Sequence, residues 1–223
     1  MTVRGDRFVK RRHDAPHGFF EVEAAGLHWL AVPGGAPVAK PVDVSSDHLS
    51  TVRLDLVAPT GAAADEFGRR LAVTHDAGAR HFGAPPDGWD GDGYIGTIDG
   101  HQLEVFELVC RRLAAGKYDD PSEPPSRIHG DLWSGNVLWS AHGVHLIDPA
   151  AHGGHRETDL AMLGLFGMPQ LERVLRAYDE AHPLAEGWRD RVGLHRLHPL
   201  LTHVVMFGGS YVAQAIAMAH KYG

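Results

Sequence analysis

The sequence predicts an α+β fold in two lobes, a short strand-rich part followed by a mainly helical one. Three observations carry this. Up to about residue 58 the chain holds short β-branched runs bounded by glycine, proline and aspartate, interrupted by a single helical stretch. Beyond Pro59, apolar residues recur mostly at helical spacing. The length of 223 residues suits one sizeable domain or two small lobes. The expected division is an N-terminal lobe over 1–58, rich in strands with one helix, and a C-terminal lobe over 59–223, with a cleft between them.

In order along the chain, Thr2-Val3, Arg4-Gly5-Asp6 and the run from Arg7 to Lys10 read as the end of a β-hairpin. Residues 20–30 carry the first helical periodicity, stopped by Pro33-Gly34-Gly35. Residues 38–44 and 50–57 read as strands, with Pro59 closing the second. Residues 65–77 give a helix with Phe67, Leu71 and His75 on one face and Gly78 as its C-terminal cap. Residues 83–100 are glycine-rich and read as loop. An amphipathic helix is expected over 103–115, and the Asp- and Pro-rich 118–125 reads as a surface linker. Residues 137–139 and 144–147 form a short hairpin around His142-Gly143. Residues 157–166, 171–181 and 195–220 complete the helical part.

Composition removes several function classes. Lys and Arg number 21 against 28 Asp and Glu, a formal charge of −7, which argues against a broad nucleic-acid surface. Cys110 is the single cysteine, so no intrachain disulfide exists, in keeping with a reducing, cytoplasmic setting. The basic start runs into no apolar stretch and does not read as a secretory signal. Residues 160–168 are too few to span a bilayer. Residues 199–219 carry His203, Ser210 and Gln214 and read as a buried helix, so no membrane association is expected.

The chemistry concentrates in Ile128-His129-Gly130-Asp131-Leu132-Trp133-Ser134-Gly135-Asn136, followed by Leu146-Ile147-Asp148-Pro149. Kinase catalytic loops place an Asp four intervening residues before an Asn, and Asp131 and Asn136 have that spacing. Phosphoryl transfer asks a protein for charge screening and for a group that orients the attacking hydroxyl. A carboxylate and an amide oxygen are hard ligands suited to Mg²⁺, so Asn136 and Asp148 are the metal candidates. Asp131 can accept the substrate hydroxyl's hydrogen bond and take its proton. His129 braces the loop, and Gly130 and Gly135 permit tight backbone there. Any one of these acids alone would more often cap a turn; the ordered set makes that the weaker explanation. Upstream, Lys10 ends a strand and Glu23 lies on the following helix, the order in which kinases place a phosphate-holding lysine and the glutamate that fixes it. Two exposed charges of little consequence are the bland alternative for that pair.

At these residues the chain closely resembles the fructosamine kinase (ketosamine 3-kinase) family, relatives of the aminoglycoside and choline kinases. The resemblance runs through His129-Gly130-Asp131-Leu132-Trp133-Ser134-Gly135-Asn136 and Ile147-Asp148-Pro149-Ala150. It continues in Gly154-His155-Arg156-Glu157-Thr158-Asp159-Leu160, Leu165-Phe166-Gly167, His198-Pro199-Leu200-Leu201 and Phe207-Gly208-Gly209-Ser210-Tyr211. Glu23-Ala24-Ala25-Gly26-Leu27 and Gly93-Tyr94-Ile95-Gly96-Thr97 extend it upstream, and Trp133 is its most telling residue. It implies a protein-kinase-like two-lobe fold with a shortened β-rich N-lobe and a helical catalytic C-lobe. It implies Asp131 as catalytic base, Asn136 and Asp148 as Mg²⁺ ligands, and Lys10 and Glu23 as the phosphate-anchoring pair. Leu54-Asp55-Leu56-Val57 would be the hinge whose backbone meets adenine, which places Asp55 and Val57 in the nucleotide site. The cofactors would be ATP and Mg²⁺. The acceptor would be a ketosamine, whose 3-hydroxyl takes the γ-phosphoryl group before the phosphorylated sugar sheds its amine.

The chain departs from the family pattern in two places. It begins almost at the lysine strand, without the preceding strands and nucleotide-covering loop, and Ile98-Asp99 runs straight into Gly100 where the family inserts a few dozen residues. Together these departures predict weaker ATP binding, and the ketosamine specificity of the family does not simply carry over. Another small-molecule kinase of the same fold, or an inactive nucleotide-binding pseudokinase, is the alternative. The 17 histidines raise zinc as a further class, but His142, His145, His152 and His155 lie in expected loops and strands without the His-Glu-x-x-His helix of a zinc enzyme. His75, His195, His198 and His203 read as packed helix residues. Asp159 reads as an anchor for the catalytic loop. Trp133 is expected to stack on a sugar or amine, and Glu157 either to reach the substrate or to pair with Arg156.

Overall fold

A computed structural model describes residues 2–4, 6–91, 104–117, 123–207 and 210–222. The chain forms two compact units, Met1–Tyr94 with Pro125–Ala185, and Ile95–Pro124 with Glu186–Gly223. The lobe boundary expected at residue 58 lies inside the first unit.

The first unit opens on an antiparallel sheet in the order β1-β2-β4-β3, made of β1 (Thr2–Arg4), β2 (Arg7–Arg11), β3 (Pro41–Ser45) and β4 (His48–Val52). The β1–β2 hairpin pairs Val3 with Phe8 across its turn, as the sequence predicts. Register places Lys10 opposite Leu49 and Phe8 opposite Thr51. Helix α1 (Phe19–Leu30) crosses this sheet, with Phe20, Ala24 and Leu27 packed on Leu49. The regular ladder of β4 stops at Val52, five residues short of the strand the sequence predicts. Beyond it the chain detaches, and Leu56 bridges to Ser140 instead.

Helix α2 spans Gly61–Asp76, four residues longer at its start than its apolar periodicity reveals. Thr60 makes the difference, its hydroxyl capping the N–H of Ala63 at 3.2 Å. Phe67, Leu71 and His75 face inward as expected, and α2 packs along α5 (Leu171–Ala181). Gly78, at φ 67°, donates to the carbonyl of His75 just past the helix end. A strand pair that the sequence does not signal joins β5 (Ser126–Ile128) to β8 (His152–Gly154). Each has three residues, too few for a period, and β8 carries two glycines. The β6 (Val137–Ser140) and β7 (Gly143–Leu146) hairpin forms where expected, and α4 (Arg156–Leu163) follows β8.

The second unit contains α3 (Glu104–Ala114), α6 (Trp188–Phe207) and α7 (Ser210–Tyr222). Val109, Leu197, Ala219 and Tyr222 form its core. Helix α6 begins seven residues before the expected start and accommodates Pro199 in its interior. The resemblance segment at 93–97, the shortening at Ile98-Asp99-Gly100 and most of the linker at 118–125 lie outside the described residues. Among the described residues, no helix is long and apolar enough to cross a membrane.

Candidate active site

Strands β2, β4 and β6, helix α1, residues 53–56 and the turn after β7 line a cavity of about 690 Å³. Its walls are apolar, with Leu27, Ala39 and Leu49 on one side and Leu138 and Ile147 on the other. Lys10, Glu23, Arg53, Asp55 and Asp148 are its charged lining residues. A mostly apolar cavity that also presents charged groups has the chemistry to hold a heterocycle joined to phosphates.

Lys10 bonds Glu23 at 2.8 Å and Asp148 at 3.2 Å, so one ammonium ties the sheet to α1 and to the loop after β7. Burial alone would lower the Lys10 pKa, but the carboxylates of Glu23 and Asp148 outweigh it and hold the amine above its ordinary value. Burial drives the Glu23 carboxyl up to about 7, against the pull of Lys10. Asp148 sits at φ 52°, in the left-handed region, at the turn leaving β7.

The Asp131 loop is built from inside. Asp159, fully buried on α4, accepts the N–H groups of His129 at 2.7 Å and Gly130 at 3.0 Å, and Nε2–H of His75 at 3.2 Å. His75 Nδ1 in turn accepts from the hydroxyl of Tyr178 at 2.7 Å, chaining α2 and α5 to the loop. His129 is neutral: burial holds its pKa down, which lets Nδ1 accept the N–H of Asp131 at 3.2 Å while Nε2–H donates to the carbonyl of Ile147 at 2.9 Å. One imidazole thus joins the loops of Asp131 and Asp148. Gly130 has φ 79°, and a β-carbon there would lie 2.3 Å from the carbonyl oxygen of Ala150, so no other residue fits.

Asn136 ends a single 3-10 turn, Ser134–Asn136. Its Nδ2 donates to the backbone carbonyl of Asp131 at 2.8 Å and to the carboxylate at 2.9 Å. Oδ1 is then the atom of that side chain able to meet a cation. With the carboxylate of Asp148 it makes a pair of hard oxygen donors, which fits Mg²⁺.

The other expected site residues are distributed less evenly. The Val57 N–H donates to the carbonyl of Trp139 at 2.9 Å, and the Asp55 carbonyl accepts from Ala141 at 3.2 Å. Val57 does not line the cavity. In an extended segment alternate residues point opposite ways, so the backbone left for a ligand is that of Leu54 and Leu56, which do line it along with Asp55. Glu157 is 1% exposed, enclosed in the first turn of α4. Its expected partner Arg156 reaches the carbonyls of His182 and Pro183 at 3.2 and 2.8 Å. Trp133 is 36% exposed two residues after Asp131, its ring lying across Gly135 and meeting Phe166 edge-on at 6.0 Å. Phe166 and the apolar cavity walls were not among the expected site residues. A two-residue alternation in β4, with Leu49 and Thr51 facing the same way, was the signal available for the walls.

Residues 99–222 match the family model described as fructosamine kinase. A "probable ketoamine kinase" of Enterococcus faecium is 47% identical over 96% of this chain and 87% of its own length. One from Vibrio parahaemolyticus is 31% identical over 91% of this chain and 80% of its own. A crystal structure from Thermobifida fusca, provisionally described as a fructosamine-3-kinase, superposes with a TM-score of 0.87 at 42% identity, covering 97% of this chain and 85% of that one. The choline kinase of Streptococcus pneumoniae shares the fold alone, with a TM-score of 0.64 at 15% identity over 97% of this chain and 85% of its own. The fold is thus the expected α+β, protein-kinase-like one, strands first and helices after, and the chain belongs to the fructosamine kinase family.

Proposed function

We propose that the chain transfers the γ-phosphoryl group of ATP to a hydroxyl of a ketosamine, with Asp131 as the group that accepts the hydroxyl proton. One observation carries this above the rest. Asp131 and Asn136 are hydrogen-bonded to each other on a loop that His129 fastens to the Asp148 turn, and Asp148 lines a cavity that also contains Lys10. The acceptor oxygen bonds to phosphorus as the bond from phosphorus to the ADP oxygen breaks, and the hydroxyl proton passes to Asp131. Lys10, held by Glu23, meets the α- and β-phosphates. Leu54 and Leu56 offer backbone groups to the adenine edge, a one-residue shift from the Asp55 and Val57 expected by resemblance. Mg²⁺ on Asn136 and Asp148 would screen the phosphate charge.

Trp133 and Phe166 stand where the acceptor's sugar or amine would lie, since an aromatic face suits the C–H side of a sugar and the charge of an amine. The phosphorylated sugar then sheds its amine, which makes the reaction a deglycation step. The test is Mg²⁺-dependent ADP release with and without a synthetic fructosamine. Stimulation by the fructosamine, over choline and aminoglycosides at equal concentration, is the expected result. Stimulation by one of those others in its place overturns the ketosamine assignment, and ATP binding with no acceptor-stimulated release overturns the enzyme in favour of a binding module.

A further inference from the structure

Helix α1 reaches the site with two faces. Phe20, Ala24 and Leu27 rest on the sheet. Glu23 and Gly26 lie three residues apart, stacked on one side of the helix, and that side turns toward the chain leaving β7. Glu23 meets Lys10, whose ammonium also holds Asp148. Gly26, one turn on, is buried and closely packed. A β-carbon on it would stand 3.1 Å from Cβ of Ala151 and 3.2 Å from Cγ of Pro149, inside the separation of about 3.5–4.0 Å at which carbon atoms attract best. The facing segment has little freedom to retreat. Pro149 fixes its own φ, Asp148 before it already sits in the left-handed region, and Ala151 is packed with Trp29 and Leu30.

We propose that Gly26 is a positioning residue for the nucleotide site. Its missing side chain lets α1 approach the Asp148–Ala151 segment closely enough for a single lysine to hold Glu23 and Asp148 together. The glycine sets the spacing, and the ion pairs form only at that spacing. The identity of the ligand rests on the function proposed above, whereas the spacing rests on the packing. Helix propensity points the other way, because alanine is a better former than glycine in a helix interior. A Gly26 with no packing role would therefore tolerate or welcome alanine.

The test measures ATP affinity by calorimetry and thermal midpoint for the parent, Gly26→Ala, Ala151→Gly and the double variant. Gly26→Ala is expected to weaken ATP binding about tenfold, with the midpoint near the parental value because alanine's better helix propensity offsets its crowding against Pro149 and Ala151. Ala151→Gly alone binds as the parent. The double variant regains part of the affinity, because removing the Ala151 methyl relieves the 3.1 Å contact while the 3.2 Å contact with Pro149 remains. Parental affinity in Gly26→Ala, a loss that tracks a fallen midpoint, or a double variant as weak as the single one overturns the proposal. The parent is assayed alongside with a synthetic fructosamine. If it binds ATP but transfers nothing, the ketosamine assignment falls while the four affinities still decide the spacing. If it binds no ATP, both fall.

Discussion

Asp131 and Lys10 belong to two regions around one cavity, and the two are fixed in different ways. Around Asp131 the groups that set the backbone are buried and hydrogen-bonded to one another. Asp159 holds two loop N–H groups, His75 holds Asp159 and is itself held by Tyr178, and His129 fastens the loop to Ile147. Around Lys10 the fixing is ionic and partly open, with side-chain exposures of 23% for Lys10 and 38% for Asp148. A buried, fully paired network specifies one geometry and fails as a unit. A half-exposed ion pair adds little stability but can exchange partners when a phosphate arrives. Rigidity thus lies where an oxygen must be aimed, and exchangeable charge where a ligand must enter.

The sharpest way to break this contrast is Asp131→Asn. It removes the proposed proton acceptor and no proposed phosphate contact, so turnover should fall by about 10²–10⁴ while ATP affinity stays at the parental value. Steady-state kinetics beside calorimetry check both, and equal turnover in mutant and parent removes Asp131 from its role. Asp148→Asn sharpens the other side. It should weaken Mg²⁺·ATP binding and leave the urea midpoint nearly unchanged, and unaltered affinity in a titration would remove Asp148 as a ligand.

The buried network makes the opposite prediction. Asp159→Ala leaves the N–H groups of His129 and Gly130 without their acceptor, at a cost of roughly 1–3 kcal/mol for each donor left unsatisfied, read from urea unfolding. Burial raises the Asp159 pKa, but the bonds from His75 and His129 prevail and hold it below 3.8. Its contribution to stability is therefore present above that value and lost as the pH falls below it. Asp159→Asn should flatten this acid limb of the stability profile, and a parental limb in the mutant would contradict the assignment.

The smallest effect lies at Glu23. Its carboxyl, raised from 4.5 to about 7, binds a proton more readily in the folded chain than in the unfolded one. The stability this confers is complete below 4.5 and disappears as the pH rises through 7. ATP affinity should move the other way, falling as the pH drops below 7 and Glu23 loosens its hold on Lys10. Glu23→Gln should abolish that part of the pH dependence. An unchanged profile in the mutant would place the titration elsewhere.

Much of the fold and of the site is legible in the order of residues. The Asp131–Asn136 spacing, the hairpin after it, the strand of Lys10 and the helix of Glu23 are local patterns. A residue's neighbours along the chain determine a helix period or a turn, so sequence alone reveals them. Asp159 and His129 are legible as braces for the same reason, through their place in an ordered motif. The β5–β8 pair is not, because three residues and two glycines leave no period to detect. The first turn of α2 escapes because its signal is a single hydroxyl, that of Thr60, and not an apolar stripe.

What the sequence by itself determined is the identity and order of the chemical groups: the acid, the amide, the lysine and its glutamate, set on recognisable strands, loops and helices. The tertiary structure alone decided which of them meet and which are closed off. It turned the Val57 N–H toward Trp139 and left Leu54, Asp55 and Leu56 lining the cavity. It enclosed Glu157, set Phe166 against Trp133, and brought Gly26 against Pro149 and Ala151. These are contacts between residues far apart along the chain. They depend on the packing of whole elements at fixed distances, a quantity that no local run of residues contains.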